Sequence, residues 1–212
     1  MPLPFTPDEF FGVFARYNEA VWPMQILLYV AALVVGALVL TRRISPRIVL
    51  SILGGLWMWM AIAYHWAFFA TINPIARGFA VVFFVQGALL LIESLRTRAP
   101  SPPVATQQWL AGALIALALI VYPLLNVASG HVYPQMPTFG LPCPTTIFTF
   151  GVLVALYRPV PFRLAVIPLV WAAIGTSAAL QLGVTEDLLL VLAGAVVALN
   201  GVRLEFPSEI RV

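Results

Sequence analysis

The chain has 212 residues, 62% hydrophobic and 9% charged, with a formal net charge of +3. Soluble domains are about half apolar and roughly a quarter charged, so a water-soluble globular fold is excluded. A disordered chain and a nucleic-acid binder fail with it, for want of charge and of any basic run. A mean hydropathy of +1.00 agrees, and what remains is an all-α, polytopic transmembrane helical bundle forming a single domain over 1–212.

The first residues carry Asp8 and Glu9 and no basic run, so they do not read as a cleaved signal peptide. Residues 7–19 place Phe10, Phe11, Phe14 and Tyr17 at helical spacing on one face, with Asp8, Glu9, Arg16 and Glu19 elsewhere. Thr6 or Asp8 suits the cap. The pattern fits an amphipathic helix lying on the outer membrane surface, or a lid packed over the bundle.

Seven apolar segments follow, at 22–41, 48–71, 79–95, 109–127, 144–157, 164–182 and 187–202. A spanning helix needs about 20 residues, and the fifth and seventh are short. Six helices with a re-entrant 144–157 form the alternative. The breaks at 41–47, 72–78, 96–108 and 158–163 combine Arg with Pro, Gly or Ser, and 128–143 is the longest connection.

Arginine placement supports seven. All 11 basic residues are Arg. With seven spans, one side receives Arg42, Arg43, Arg47, Arg96, Arg98, Arg158, Arg163, Arg203 and Arg211, and the other keeps Arg16 and Arg77. Loops rich in Lys and Arg stay cytoplasmic, which puts the N-terminus out and the C-terminus in. Residues 86–96 (QGALLLIESLR) and 193–203 (AGAVVALNGVR) align without gaps, and the turns RRISPRIVL and YRPVPFRLAV each place Pro just before Arg. These matches fit a parallel repeat of three helices, a linker helix and three more, as in some small transporters.

Polar groups in spanning segments are costly and mark candidate sites. They gather toward the outer ends: Tyr64, His65 and Trp66 late in segment two, Asn73 and Arg77 in the next loop, Asn126, His131 and Tyr133 after segment four, Cys143 before segment five, and Glu186 and Asp187 at segment seven. Cys143 precedes Pro144, where the positive end of a helix dipole favours thiolate; a buried inert thiol is the alternative. His65 suits a metal ligand or a proton-handling group, or an aromatic belt with Trp57, Trp59, Tyr64 and Trp66. His65, His131 and Cys143 together have the composition of a Zn or Cu site, without a spacing motif. Glu186, Asp187 or Tyr133 would support such a site from behind. Glu93 sits one turn from Arg96 and reads as a snorkelling ion pair, while Gln86 and Asn200 read as links between helices. The small-residue run 172–179 suits close packing. A single Cys excludes an intrachain disulfide. There is no GxSxG, HExxH, CxxC, P-loop or GxGxxG, hence no nucleotide motif.

The blocks FFGVFARYNEAVWP, YHWAFFATINPIARGFA, HVYPQMPTFGLPCPTTIFTFG and GVTEDLLLVLAG resemble an uncharacterised family of bacterial integral membrane proteins, a domain of unknown function, over nearly the whole chain. The resemblance implies a bacterial inner-membrane protein and brings no activity or ligand with it. From the residues themselves, the leading expectation is an extracytoplasmic pocket for a small solute or soft metal ion. Tyr64, His65, Trp66, Asn73, His131, Tyr133 and Cys143 would line it, with Glu186 and Asp187 at the rim. A membrane enzyme or redox component using a Cys143 thiolate, and a structural or assembly subunit without a ligand, are the alternatives.

Overall fold

A computed structural model describes residues 4–96, 105–199 and 202–203. Arg98, Asn200 and Arg211 of the sequence reading lie outside them.

Helix α1 (Pro7–Ala20) opens with a capping box: Thr6 Oγ1 accepts from the Glu9 amide at 3.3 Å, and Glu9 Oε2 accepts from the Thr6 amide at 2.8 Å. It buries Val13, Phe14, Tyr17 and Asn18, so its aromatic face covers one end of the bundle. The chain then turns by 87° into α2 (Met24–Leu40). Asn18 fixes the lid in place. Its Nδ2 donates to the carbonyls of Pro134 (2.7 Å) and Met136 (2.8 Å), and its Oδ1 accepts from Thr138 (2.7 Å). Trp59 Nε1 donates to the Tyr17 hydroxyl at 2.7 Å, and burial pushes that hydroxyl's pKa up to about 12 against the opposing pull of the Trp59 N–H.

Helix α3 (Pro46–Trp59) runs on into a π-helical stretch (Met60–Trp66) that carries His65, then turns back as α4 (Ala76–Arg96). The two pack closely because Gly54 and Gly87 face each other: a methyl group on Gly87 would lie 2.8 Å from the Gly54 carbonyl oxygen. Next come α5 (Ala105–Ala116), a second π stretch (Leu117–Val121) and α6 (Tyr122–Ala128). Helix α7 (Pro142–Leu156) is one continuous helix, buried almost throughout. It is apolar all round because other helices surround it. Helices α8 (Phe162–Leu182) and α9 (Leu188–Leu199) complete the bundle. Gly194 packs on Ala172, at the start of the small-residue run. Strands β1 (Val160–Pro161) and β2 (Val202–Arg203) pair in parallel.

Among the described residues, two prolines interrupt helix interiors, and each time a side chain from another helix restores the lost bond. Pro123 has no N–H for the Leu119 carbonyl, which accepts from the Tyr29 hydroxyl of α2. Pro168 has none for the Leu164 carbonyl, which accepts from Gln86 Nε2 of α4 at 3.0 Å. Helix ends are served in the same way: Gln107 donates to Val154 O at 2.7 Å and Gln108 to Leu40 O at 2.5 Å. In a bilayer every backbone group must find such a partner.

Each of the seven apolar segments contains a helix. Among the described residues, four helices are long and apolar enough to cross a membrane: Pro46–Thr71, Ala76–Arg96, Thr106–Ala128 and Phe162–Leu182. The bent α1–α2 pair, counted as one span, makes five. At the end away from the lid, Glu93 pairs with Arg163 of α8 (2.7 Å) and accepts from the Tyr157 hydroxyl (3.0 Å). The expected Arg96 is thus replaced as its ion-pair partner by a residue that the antiparallel α4–α8 packing brings alongside.

Candidate functional site

The polar residues collect at the lidded end. Leu141 caps α7 in extended backbone, and Pro142 is its first residue, where the missing N–H costs nothing. Cys143 therefore lies inside the first turn and is not the cap. Its Sγ donates to Asp187 Oδ2 at 3.2 Å, while the Tyr122 hydroxyl donates to Oδ1 at 2.5 Å. The helix N-terminus expected to favour a thiolate is present, but the hydrogen-bond partner of the thiol is a carboxyl group, which opposes ionisation. Asp187 ends the short 3₁₀ turn Thr185–Asp187 that leads into α9. The adjacent Glu186 is buried and points the other way, with Oε1 2.7 Å from His131 Nδ1; the His131 ring lies over Phe11 of the lid, 4.5 Å between centroids.

Between the lid and the bundle lies a cavity of about 330 Å³. Phe5, Phe10 and Phe14 wall it from the lid side; Tyr64, Phe69, Phe79 and Trp171 wall it from the bundle. Cys143, Asp187 and Asn73 add polar groups. The indole N–H of Trp171 is buried and approaches the Cys143 sulfur without forming a well-shaped hydrogen bond, and it reaches no other acceptor. A second cavity of about 250 Å³ is lined by Trp22, Gln25, Tyr29, Tyr122 and Tyr133. Asp187 lines the first and Tyr122 the second, so their hydrogen bond crosses the wall between them.

The expected residues separate into groups. Tyr64, Asn73, Cys143 and Asp187 meet at the larger cavity. Asn73 also holds its own turn, accepting from the Ile75 amide at 3.2 Å. His65 is fully buried behind the cavity wall, packed on Phe83 (4.3 Å between centroids) and Trp171 (5.2 Å), with neither ring nitrogen hydrogen-bonded. Trp66 faces outward, 57% exposed, under the Arg77 guanidinium at 5.9 Å, and Tyr133 belongs to the second cavity. Among the described residues, no group of three or more His, Cys, Asp or Glu is arranged to hold a metal ion. The expected His65–His131–Cys143 ligand set is thus divided among an aromatic box, a Glu186 pair and an Asp187 pair.

The family model that matches the chain covers residues 7–209, nearly its whole length. The chain belongs to a family of unknown function, DUF6064. Membership agrees with the resemblance read from the YHW…INP and GLPCPTT blocks, and brings no activity with it. No curated protein and no solved structure matches.

Two residues of the site escape a reading of the sequence. Tyr122 stands just before Pro123, and Trp171 is a lone aromatic ahead of the small-residue run. Both signals are visible in the sequence, but only the packing shows that these residues face Asp187 and Cys143.

Proposed function

We propose that this protein is a seven-span protein of the bacterial cytoplasmic membrane, N-terminus outside, that binds a small amphipathic solute in the lidded cavity. The observation that carries this reading is the cavity itself. Its volume falls at the lower end of small-molecule sites, about 300–1,000 Å³, and such sites combine apolar walls with a few convergent polar groups. Aromatic walls around the Cys143–Asp187 pair have that composition. The arginine asymmetry supports the orientation, and the close-packed Gly87 and Gly194, which occupy equivalent positions in the 86–96 and 193–203 alignment, support the internal repeat.

The support for movement of the solute across the membrane is the internal repeat; both cavities lie at the lidded end, side by side across the Tyr122–Asp187 bond. Native mass spectrometry of protein released from its membrane tests the binding reading. A bound small molecule is expected on the wild type and absent from Ala178→Phe, which fills the cavity. An unliganded wild type that also fails to take up added amphiphiles would contradict it.

A further inference from the structure

Among the described residues, Asp187 is the one carboxyl group lining the larger cavity, and its two hydrogen-bond donors, Tyr122 and Cys143, are both neutral. Within the same residues it makes no ion pair; the two ion pairs found there are His131–Glu186 and Arg163–Glu93. A buried carboxylate is ordinarily paired with a cation, and here none of the described residues supplies one. The carboxyl oxygens accept one bond each, and each has a second lone pair to offer.

The walls suit a cation as well. Phe and Tyr rings have negative faces, and a desolvated ammonium among them is attracted to those faces. Beside Cys143, the Trp171 indole N–H is a buried donor without an oxygen or nitrogen acceptor. A donor left so costs free energy until an acceptor arrives.

We infer that the solute is a lipophilic organic amine, bound as its ammonium to Asp187, with an oxygen atom that accepts from Trp171 and an apolar body against the lid phenylalanines. The inference rests on the reading of the cavity as a binding site and names its ligand class. The entrance fits such a molecule. Among the cavity's lining residues, Pro4, Ile75, Ile174 and Ser177 are exposed, so it opens sideways between the lid, the start of α4 and the face of α8. In the spanning orientation that opening meets the outer leaflet, into which the apolar body of a lipophilic amine partitions.

A matched pair of probes tests this: N,N-dimethyl-2-phenoxyethylamine and its neutral isostere 3-methylbutyl phenyl ether, titrated calorimetrically into the full-length protein in detergent. The amine is expected to bind at least about tenfold more tightly, the equivalent of one cation–π-scale contribution. Asp187→Asn should bring the two affinities within about twofold, and Trp171→Phe should weaken both probes alike. Equal binding of the two probes to the wild type would overturn the amine assignment and leave the cavity as a site for neutral solutes. Binding of neither would overturn the binding site itself. The wild-type comparison decides these outcomes whether or not Asp187→Asn folds.

Discussion

Gln86 donates its side-chain amide to the carbonyl of Leu164, the group that Pro168 leaves without a helical partner. A proline in the middle of α8 is therefore tolerated because α4 supplies the missing donor, and the two helices are held in register by it.

The pairing has a directional consequence. Gln86→Leu leaves the Leu164 carbonyl buried and unpaired, a cost of about 1–3 kcal/mol. Pro168→Ala restores a backbone N–H, so Gln86→Leu/Pro168→Ala should unfold at a higher temperature than Gln86→Leu alone. Thermal unfolding in detergent checks this, and a double variant no more stable than the single one would disprove the relationship.

Glycines of α3 and α4 divide by contact. A methyl group on Gly87 would lie 2.7 Å from Met58 Cγ and 2.8 Å from the Gly54 carbonyl oxygen, whereas one on Gly55 meets nothing within 4 Å. Gly87→Ala should cost about 1–3 kcal/mol through overpacking. Gly55→Ala should cost nothing, since Ala favours helix more than Gly does. Denaturant midpoints of the two variants, measured side by side, provide the comparison.

His131 is the hydrogen-bond partner of a buried carboxyl group, Glu186, whose second oxygen has none. His131→Ala should lower stability by about 1–3 kcal/mol, and more than Glu186→Gln, which keeps an acceptor for the ring and removes the charge. The reverse order in thermal unfolding would show that the pair does not hold the loop to α9.

The lid has its own pH dependence. Hydrogen bonds from the Thr6 amide and hydroxyl hold the Glu9 carboxyl below the ordinary glutamate range. Its folded value is depressed, so the capping contribution is complete above the ordinary glutamate pKa and fades as pH falls through the folded one. NMR chemical shifts of the Thr6 and Glu9 amides, followed during acidification, should report the first turn of α1 fraying in that window. In Glu9→Gln the carboxyl titration should vanish.

The legibility of this protein in its sequence is uneven for physical reasons. Hydrophobic runs and Arg-bearing breaks locate a helix in every expected segment, because burial and membrane solvation both act on composition. Gln86 is recognisable as a link between helices, but its partner depends on which helix carries an unsatisfied carbonyl beside it. Glu93 points to Arg96, one turn away, while the folded chain brings Arg163 from 70 residues on. Cys143 and Asp187 stand out singly; their contact, and the Tyr122 and Trp171 groups beside it, arise where α6, α7, α8 and α9 converge. His65, the most conspicuous metal candidate, is enclosed by aromatic rings that local spacing does not reveal.

Binding of a solute in the lidded cavity is tested most directly by saturable uptake of 3-methylbutyl phenyl ether. Equilibrium dialysis of the reconstituted protein against liposomes alone, for the wild type and Ala178→Phe, measures it. The cavity predicts one saturable site per wild-type chain, lost in the variant whose larger side chain fills the space. Uptake that never saturates, and is the same for both proteins as for liposomes, would contradict it.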